Sequence, residues 1–462
     1  MRKMTPDEVE FLRLLVGPLY CFTGDDISED YCHDELAQIK AHPDCVLEPG
    51  STSEIAQIMQ YAYQKEIPVT VRGSGTGLCG GSVAVSGGIL LSTARLNKVL
   101  EIDEGNLVAK VQPGVILLNF QEIVEKMGLL YAPDPGEKSA TIGGNVMTNA
   151  GGMRAIKYGV TRDHILGMEV VLADGEIINL GGKIGKNSSG YSLLDLFIGS
   201  EGTLGIVTEI TVKLLPLPKK TATLLVPFPS LNQTIKAVPE ILKGRIVPNA
   251  VEFMEKEIIE AAEKYLSKPF PDKSAPAYLL LRFDGNSKDE LEKVYDIAAR
   301  ICLDLGALDV YVADTLDRQQ LIWDARGAFL EALKAMSEMD EVDIVVPRTK
   351  ISCLVNFTQE LRHKYQVRIV SFGHAGDGNV HIYILRDNLS AERWQQILPE
   401  IMQKLYVKGH ELSGQVSGEH GIGFAKKEYL WQSLGQTQMR LQQAIKEVFD
   451  PKGLLNPGKV VS

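Results

Sequence analysis

The sequence has few cysteines and no pair of cysteines at short spacing. The six are Cys21, Cys32, Cys45, Cys79, Cys302 and Cys353. No two of them form a C-x-x-C motif, the spacing on which iron–sulfur clusters and many disulfide frameworks depend. We therefore expect neither a cluster nor a disulfide, and scattered reduced thiols are typical of a cytoplasmic protein.

Positive charge and long apolar runs are also scarce. Lysine and arginine total 48 against 59 aspartates and glutamates, which gives a formal net charge of −11. Nucleic-acid binding is disfavoured, because it requires a basic surface. No apolar run approaches the ~18 residues that span a membrane. Thr5-Pro6-Asp7-Glu8 has the capping-box pattern of a helix start, so we expect a helix here rather than a signal peptide.

With 462 residues, the chain is too long for one hydrophobic core, and two or three domains are expected. Leu214-Leu-Pro-Leu-Pro-Lys-Lys220 is a candidate linker, because its two prolines interrupt helices and strands alike. We predict a first domain with N-terminal helices at 1–218, a second domain at 219–412, and a segment at 413–462 that returns to the first domain.

Apolar periodicity predicts the regular elements. The predicted helices cover 5–16, 52–65, 117–128, 255–266, 288–305, 315–338, 391–412 and 436–449. The predicted strands cover 68–72, 89–93, 107–112, 168–173, 176–180, 206–214, 222–227, 277–283 and 307–313, with a hairpin at 367–385. In the second half, strands and helices alternate, which favours an open sheet with helices packed on it.

The first glycine-rich loop, Arg72-Gly-Ser-Gly-Thr-Gly-Leu-Cys-Gly80, contains a G-x-G-x-x-G pattern. A Rossmann loop must open a helix, yet residues 82–91 are strand-like, so that fold is disfavoured. A P-loop is absent as well, because Gly185-Lys186 is followed by Asn187. Successive backbone N–H groups in such a bare loop can still bind phosphate, although a tight surface loop is the structural alternative.

A second glycine-rich stretch, from Gly136 to Gly152, is predicted to be irregular, and it contains the loop Thr141-Ile-Gly-Gly-Asn-Val-Met-Thr-Asn-Ala-Gly-Gly152. Two such loops that both follow strands suit a long dinucleotide laid across them.

The segment from Val370 to Leu385 carries two histidines around a glycine-rich turn. Asp377-Gly378 is a strong signal for a two-residue hairpin turn. A turn centred there sets His374 directly opposite His381, with Cβ atoms roughly 5 Å apart on one face. Two imidazoles in that arrangement can bind one divalent metal. The alternative is a pair of half-buried strand histidines with hydrogen-bond partners.

Several motifs together resemble a known family. They are Val71–Gly77, Pro133-Asp-Pro135, Thr141–Gly144, Thr148–Gly152, Gly199-Ser-Glu-Gly-Thr-Leu-Gly205, His374-Ala-Gly-Asp-Gly-Asn-Val-His381 and Ser417-Gly-Glu-His-Gly-Ile-Gly423. The first five resemble the FAD domain of the vanillyl-alcohol oxidase (PCMH) type. The last two are similar to the branch that holds D-lactate dehydrogenases, D-2-hydroxyglutarate dehydrogenases and the glycolate oxidase D subunit. The whole sequence most resembles D-lactate dehydrogenase subunits that work with an electron-transferring flavoprotein.

This resemblance implies an α+β fold. A PCMH-type FAD-binding domain would be followed by an FAD-linked oxidase C-terminal domain of ferredoxin-like type, which binds substrate.

The resemblance also implies the residues that bind FAD. They are Arg72, Gly73, Ser74, Gly75, Thr76, Gly77 and Leu78 for the pyrophosphate, Pro135, Thr141, Gly144, Asn149 and Gly151 for the flavin, Glu201, Gly205 and Ile206 for the ribityl and adenosine part, and Asn456 to close over the cofactor. Relatives with a covalent flavin attach it to a histidine in or near the first loop. The sequence has no histidine between His42 and His164, so we predict non-covalent FAD.

For the metal, the resemblance implies that His374, His381 and Glu419 are ligands, and it makes His420 the catalytic base. Zn, Fe or Mn would suit the site. Such an enzyme removes the α-hydrogen of a 2-hydroxy acid as hydride. It transfers the hydroxyl proton of the acid to a base. A metal on the hydroxyl lowers its pKa, and a histidine titrates in the working range.

An arginine suits the substrate carboxylate. The resemblance favours Arg326, in Trp323-Asp-Ala-Arg326, and Arg348 is the second choice; a surface salt bridge is the alternative for either. Tyr383 lies two residues beyond His381 and therefore on the same strand face. Its bulk, where the hydroxyglutarate branch tends to carry asparagine, favours a small acid such as lactate.

We therefore expect an FAD-dependent D-lactate dehydrogenase. The alternatives are a glycolate dehydrogenase subunit, an FAD-binding electron-transfer subunit without substrate chemistry, and an oxidase that uses oxygen. Without iron–sulfur motifs, electrons must leave the flavin directly, and an electron-transferring flavoprotein is the partner that the resemblance implies.

Overall fold

A computed structural model describes residues 3–36 and 38–461. The α-helices are α1 Pro6–Val16, α2 Thr52–Lys65, α3 Leu117–Lys126, α4 Ile142–Thr148, α5 Ala155–Tyr158, α6 Leu193–Phe197, α7 Leu231–Lys243, α8 Lys256–Leu266, α9 Lys288–Asp304, α10 Leu316–Gly327, α11 Phe329–Lys334, α12 Ile351–Tyr365, α13 Ala391–Glu411 and α14 Lys427–Phe449. Short 3₁₀ helices cover Pro18–Tyr20, Gly24–Asp26, Glu29–Cys32, Thr161–His164 and Arg348–Lys350.

The strands form four sheets. They are β1 Cys21–Thr23, β2 Cys45–Leu47, β3 Val69–Arg72, β4 Ile89–Ser92, β5 Val99–Asp103, β6 Val108–Val111, β7 Leu129–Leu130, β8 Ile165–Val171, β9 Ile177–Gly181, β10 Ile206–Lys213, β11 Leu215–Pro216, β12 Lys220–Phe228, β13 Ala250–Glu255, β14 Ala277–Gly285, β15 Tyr311–Ala313, β16 Met339–Val345, β17 Arg368–His374 and β18 Asn379–Leu385.

The N-terminal helix begins where its capping box predicts. The Thr5 hydroxyl accepts a hydrogen bond from Glu8 N at 3.3 Å, and Thr5 N donates to the Glu8 carboxylate at 2.8 Å. Each bond satisfies an amide that the first turn leaves without a helical partner. The helix predicted at 52–65 is also confirmed, with Ser51 as its N-cap.

The chain divides into two compact units. The first contains the chain up to Gly151, Gly159–Leu217 and the chain from Glu419 onward. The second contains Gly152–Tyr158 and Pro218–Gly418. Among the described residues, no helix is both long and apolar enough to cross a membrane. No disulfide joins the six cysteines, all of which lie in the described part of the chain.

The first unit is built on two main sheets. One has the order β1-β2-β4-β3, in which β2, β4 and β3 run parallel, and the other has the antiparallel order β5-β6-β10-β8-β9. The parallel strands are buried and apolar, as parallel strands covered on both faces usually are. β3 ends at Arg72, so the first glycine-rich loop leaves the carboxyl edge of the parallel strands.

The second unit is an antiparallel sheet with the order β15-β12-β14-β13-β17-β18-β16. The helices α8, α10 and α11 pack on one face, in a core with Met254, Phe372 and Tyr383. The opposite face receives α13, whose Gly409 lies against Ile344. This arrangement confirms the predicted open sheet with helices packed on it.

The helix predicted at 315–338 is confirmed over most of its length, but it is divided in two and ends at Lys334. The structure has α10 and α11 there, and the unpredicted strand β16 follows at once. Three of the seven β16 residues are acidic, and acidic residues have low strand propensity. Pairing with β18 along the whole strand overrides that propensity.

Two further helices differ from prediction. The stretch predicted to be irregular contains α4, because Thr141 caps the helix and Gly143 packs so closely on Pro113 that only glycine fits. The helix predicted at 436–449 begins earlier, at Lys427, and turns sharply at Gly435, whose φ is 74°. The predicted start therefore coincides with the part of α14 that follows this bend.

Candidate active site

The hairpin of β17 and β18 brings the two histidines together with a register that differs from the prediction. His374 pairs with Asn379, and His381 pairs with Phe372. The predicted direct pairing of His374 with His381 is therefore wrong by two residues. Because side chains alternate with a period of two, this shift keeps both histidines on one face as diagonal neighbours. Their ring centroids lie 5.2 Å apart at an interplanar angle of 88°.

The shift arises because the turn is wider than the predicted two residues. Four residues, Ala375 to Gly378, connect the strands. The carbonyl of His374 accepts hydrogen bonds from Asp377 N at 3.0 Å and Gly378 N at 3.1 Å. Gly378 has φ +87°, and a Cβ there would lie 2.0 Å from the carbonyl oxygen of Val346. The backbone of Asp377 thus belongs to the turn itself.

Glu252 of β13 is the acid that positions His374, and sequence reasoning missed it. Its side chain is fully buried, and one oxygen, Oε1, lies 2.7 Å from His374 Nδ1. The other oxygen, Oε2, accepts hydrogen bonds from Arg326 Nε at 2.9 Å and Arg326 Nη2 at 2.6 Å. Burial alone would raise the pKa of Glu252, but His374 and Arg326 together hold it below its usual value. Glu252 is therefore an ionised acceptor.

Arg326, predicted to bind the substrate, lies in this cluster near the end of α10. Its guanidinium is buried and packs over Phe372 at 4.9 Å and Phe329 at 5.5 Å from the ring centroids. Arg348, the second choice, is exposed, and its Nε donates to the carbonyl of Gly376. The structure thus places Arg326 beside His374, whereas Arg348 stabilises the hairpin turn.

His381 faces the acidic strand β16. Its Nδ1 lies 3.5 Å from the Glu341 carboxylate and 3.6 Å from the Asp343 carboxylate. Asp343 is fully buried and accepts hydrogen bonds from Asn379 Nδ2 at 2.7 Å and Ser417 Oγ at 2.9 Å. These contacts fix the carboxylate beside the imidazole.

Tyr383 is on the same face, as predicted from its spacing to His381. Its ring stacks on Phe372 with centroids 5.2 Å apart, and its hydroxyl donates to Glu341 at 3.0 Å. Burial, and then the charge of Glu341, raises the pKa of Tyr383 well above its usual value. Tyr383 is therefore a neutral donor that fills space next to His381.

We call this set the acid–histidine row. Its members lie side by side on one sheet face in the second unit and are Glu252, His374, Asn379, His381, Glu341 and Asp343. The signal for it in the sequence is an acidic residue inside an apolar strand, Ala-Val-Glu-Phe-Met, and alternate acids in Asp-Glu-Val-Asp. Buried charges are rare unless they are paired, so such acids point to partners across the sheet.

The donor set of this row fits a divalent metal. Because the Glu252 carboxylate only accepts, the His374 Nδ1 carries the proton, and Nε2 is left as the atom that can bind a metal. A carboxylate behind a histidine is the usual arrangement at metal sites, because it fixes the tautomer and raises the basicity of the ligand.

The first glycine-rich loop of the first unit fits a phosphate-containing cofactor. Among residues 3–36 and 38–461, the backbone N–H groups from Gly73 to Leu78 donate no hydrogen bond to the chain. Arg72 fixes the start of the loop, since its buried guanidinium donates to the carbonyls of Asp30 at 2.6 Å and His33 at 2.7 Å. A rigid loop with several available N–H donors can bind a pyrophosphate.

The second loop packs against the first. A Cβ on Gly73 would lie 2.4 Å from Thr141 Oγ1, and that hydroxyl also accepts a hydrogen bond from Gly144 N at 3.1 Å. At the other end of α4, Asn149 has a left-handed backbone with φ 50°. Gly151 follows, and a Cβ there would lie 2.7 Å from a Glu419 carboxylate oxygen. Both predicted loops thus meet in one unit.

Other residues predicted to bind FAD have mainly internal contacts. Pro135 is buried, and Ile206 belongs to the apolar core. A Cβ on Gly205 would lie 2.6 Å from a Val170 methyl group. The side chains of Pro135 and Ile206 are therefore packed inside the protein.

Glu201 and Asn456 join the chain's C-terminal segment to the first loop. The Asn456 amide donates to the carbonyls of Gly81 at 2.9 Å and Glu201 at 2.7 Å. The Glu201 carboxylate accepts from Ile422 N at 2.7 Å and Gly423 N at 2.8 Å, and burial raises its pKa. Both residues have left-handed backbones, with φ 52° and 45°. Strained backbone of this kind is concentrated at functional sites.

The remaining predicted residues, Glu419 and His420, lie in the turn before α14, in the first unit. His420 Nε2 is 3.7 Å from Glu419 Oε1. Their predicted roles stay predictions.

Comparison with protein families decides the class of the chain. Residues 43–181 match the model of an FAD binding domain, and residues 217–460 match the model of the C-terminal domain of FAD linked oxidases. The chain belongs to the FAD-linked oxidases. The predicted resemblance, the α+β fold with these two domains, and the assignment to FAD-dependent enzymes are thereby confirmed.

The curated relatives within the FAD-linked oxidases match along almost their whole length. A D-lactate dehydrogenase of Anaerostipes hadrus is 47% identical and covers 99% of this chain and 98% of its own. A D-lactate dehydrogenase of Archaeoglobus fulgidus is 42% identical, with coverage of 94% and 96%. The glycolate oxidase subunit GlcD of Bacillus subtilis is 41% identical, with coverage of 93% and 91%.

Solved structures of other proteins share the fold of this chain. The structure of p-cresol methylhydroxylase with bound substrate has a TM-score of 0.81 at 19% identity and covers 99% of this chain and 98% of its own. The 4-ethylphenol oxidase of Gulosibacter chungangensis has a TM-score of 0.76 at 19% identity, with coverage of 98% and 96%.

Proposed function

We propose that this protein oxidises D-lactate to pyruvate with FAD as the oxidant. The reaction removes two electrons and two protons from the substrate carbinol. The observation that carries the proposal is the acid–histidine row, in which a fully buried Glu252 orients His374 and pairs with Arg326. Two relatives with identities of 42% and 47% are named D-lactate dehydrogenase, which supports this choice of substrate.

The FAD in this proposal is bound non-covalently in the first unit. The N–H groups from Gly73 to Leu78 would hold the pyrophosphate, and the second loop, with Thr141, Asn149 and Gly151, would line the flavin. The match to an FAD binding domain over 43–181 supports the cofactor. When bound, FAD supplies the acceptor for the α-hydrogen, and a divalent metal supplies a Lewis acid for the hydroxyl.

The metal ligands in this proposal are His374 and His381, and the metal is Zn, Fe or Mn. The Glu252–His374 hydrogen bond supports it, since it leaves Nε2 as the ligand atom. The third ligand, Glu419, and the base, His420, are assigned by resemblance. As the base, His420 would accept the hydroxyl proton.

Arg326 would bind the substrate carboxylate. Its Nε and Nη2 are engaged by Glu252, so the guanidinium is held rigidly while its other terminal nitrogen remains to pair with a carboxylate oxygen. A fixed cation loses little conformational entropy when the substrate binds. Tyr383 would limit the space beside His381 to a small acid.

The electrons would pass to a partner, for which an electron-transferring flavoprotein is our proposal from resemblance. A cytoplasmic location likewise stays a prediction.

Glycolate is the second candidate substrate. The relative named glycolate oxidase subunit GlcD is 41% identical, close to the D-lactate dehydrogenases. A subunit that only transfers electrons is disfavoured, because a buried acid held between a histidine and an arginine is costly and a mere scaffold does not need one.

A dye-linked assay of the FAD-loaded protein tests the proposal. D-lactate, L-lactate, glycolate and D-2-hydroxyglutarate would be compared by kcat/KM. We expect the highest value with D-lactate and little turnover of L-lactate. A higher value with glycolate would establish the second candidate, and no turnover of any of these acids would refute a 2-hydroxy acid dehydrogenase.

A further inference from the structure

A second cluster of metal-ligating side chains lies in the first unit. Cys32 Sγ is 3.1 Å from His42 Nδ1, and one carboxylate oxygen of Glu29 completes a set whose three atoms lie within 4.8 Å of one another. A thiolate, an imidazole and a carboxylate are ligands that zinc accepts. We propose that Glu29, Cys32 and His42 bind a zinc ion.

Local backbone geometry brings the three ligands together. Glu29 and Cys32 are the first and last residues of a 3₁₀ helix. With three residues per turn, side chains at positions i and i+3 eclipse each other and point the same way. The chain then loops back, since the Cys32 carbonyl accepts a hydrogen bond from Ala41 N at 2.8 Å. His42 is the next residue and therefore comes to the same place.

The distance between Cys32 and His42 is close to that in a zinc site. Zinc–sulfur and zinc–nitrogen bonds of about 2.3 and 2.0 Å imply donor atoms about 3.5 Å apart in a tetrahedron. The pair Cys32–His42, at 3.1 Å, needs to open by only a few tenths of an ångström. Three protein ligands leave a fourth position for water.

A metal ion can reach the cluster from solvent. Cys32 is fully buried, whereas Glu29 and His42 are exposed, so an ion can enter from solvent and meet a shielded sulfur. Binding replaces the S–H bond by a metal–sulfur bond and releases the proton to water. The alternative is a thiol–imidazole hydrogen bond with no metal, and the experiment separates the two.

Lys40 provides a second, independent test of the proposed site. Its ammonium pairs with the Glu29 carboxylate at 3.2 Å, and both groups are exposed. The pair therefore contributes little stability, but the positive charge of Lys40 opposes the binding of a metal cation to the same carboxylate. Removal of the Lys40 charge should tighten metal binding if Glu29 is a ligand.

The proposed zinc site includes the segment to which the first glycine-rich loop is anchored. Arg72, the last residue before the loop, donates to the carbonyls of Asp30 and His33, on either side of Cys32. A metal on Glu29, Cys32 and His42 would therefore stiffen the backbone to which Arg72 is anchored.

Cobalt is the probe that distinguishes this site from the proposed catalytic one. Only a cobalt–thiolate bond gives an intense near-ultraviolet charge-transfer band, and His374 and His381 contribute no sulfur. Difference spectra of the FAD-loaded protein, with and without Co²⁺, would be compared for the wild type, Cys32→Ser, His42→Gln, Lys40→Gln and Cys353→Ser. The last is the control, since Cys353 is an exposed cysteine outside the cluster.

We expect the band in the wild type and in Cys353→Ser, and its loss in Cys32→Ser. The affinity for cobalt should be at least tenfold weaker in His42→Gln than in the wild type. It should be stronger in Lys40→Gln. Zinc added in equimolar amount should abolish the band. Absence of the band in the wild type at saturating Co²⁺, or its persistence in Cys32→Ser, would overturn the proposal. His42→Gln changes only an exposed side chain, so it tests the site even if Cys32→Ser fails to fold.

Discussion

Glu252 is the residue on which the acid–histidine row depends. Its carboxylate forms hydrogen bonds with both His374 and Arg326. An ionised carboxylate between two N–H donors orients both side chains at once. Removal of its charge would leave Arg326 buried without a counter-charge, which is far more costly than the loss of an exposed ion pair.

We predict that Glu252→Gln lowers kcat/KM for D-lactate by about 10- to 100-fold, the usual effect of removing the partner of a metal-bound histidine. The amide cannot neutralise Arg326 or hold the His374 tautomer. Steady-state kinetics and metal analysis would measure the effect. Glu255→Gln is the matched control, because Glu255 lies on the same strand with its side chain on the opposite face and pairs with Ser371. Equal losses in both variants would contradict a specific role for Glu252.

Lys459 gives a prediction about pH. Its side chain is fully buried and donates to the carbonyl of Gly81 at 3.0 Å and to Asn456 Oδ1 at 2.5 Å. Burial lowers its pKa to about 7, although Asp34 and Glu201 act in the opposite direction. Between that pH and the usual lysine pKa, the unfolded chain binds a proton that the folded chain does not. Lys459 therefore makes the free energy of unfolding rise with pH above about 7.

Lys459→Met should lose this rise. The slope of the free energy of unfolding against pH should therefore decrease by at most about 1.4 kcal/mol per pH unit, the contribution of one proton. Urea unfolding of the FAD-loaded protein between neutral and alkaline pH would measure it. Lys452→Met, an exposed lysine in the same segment, should keep the wild-type slope. An unchanged slope in Lys459→Met would show that the ammonium stays charged in the fold.

At the scale of elements, the hairpin shows how far the sequence predicts the site. Its position, its two strands and the shared face of the histidines follow from strand alternation and the Asp-Gly turn signal. Its register does not, because the turn conformation depends on contacts with Val346 and Arg348, which are remote in sequence from the turn centre. The same limit applies to β16. Its acidic residues have low strand propensity, and only its pairing with β18 makes this segment a strand.

Gly378→Ala tests the hairpin turn. A methyl group would meet the Val346 carbonyl at 2.0 Å, and the residue needs φ +87°, so both contact and conformation are violated. Gly306→Ala is the matched control, since its φ is +91° but the nearest atom is the tip of the Gln233 side chain at 3.2 Å. We expect the control to lose about 1 kcal/mol of stability from the left-handed conformation alone. Gly378→Ala should lose clearly more in urea unfolding followed by tryptophan fluorescence, and equal losses would contradict the turn geometry.

At the scale of the whole molecule, the fold was predictable because seven motifs in fixed order resemble one family, and the family match bears this out. The fold persists in p-cresol methylhydroxylase at 19% identity, so few positions specify it. The partners of the acid–histidine row were not predictable in this way. Glu252 lies more than 100 residues from His374 and meets it only when β13 and β17 pair.

The attachment of the cofactor is also a property of the whole molecule. No histidine lies between His42 and His164, so the first loop has no imidazole that could bond covalently to the flavin. Acid precipitation of the yellow protein should therefore release the flavin into the supernatant. Absorbance of pellet and supernatant would measure it, and flavin retained in the washed pellet would contradict non-covalent binding.

The visible spectrum of the FAD-loaded protein under argon, with D-lactate or L-lactate added, tests the proposed activity most directly. One turnover reduces the flavin, so no partner protein or dye is needed. We predict that D-lactate bleaches the flavin band and that L-lactate leaves it unchanged. Bleaching by L-lactate to the same extent would contradict the proposed stereochemistry. No bleaching by either in metal-replete protein would contradict D-lactate oxidation itself.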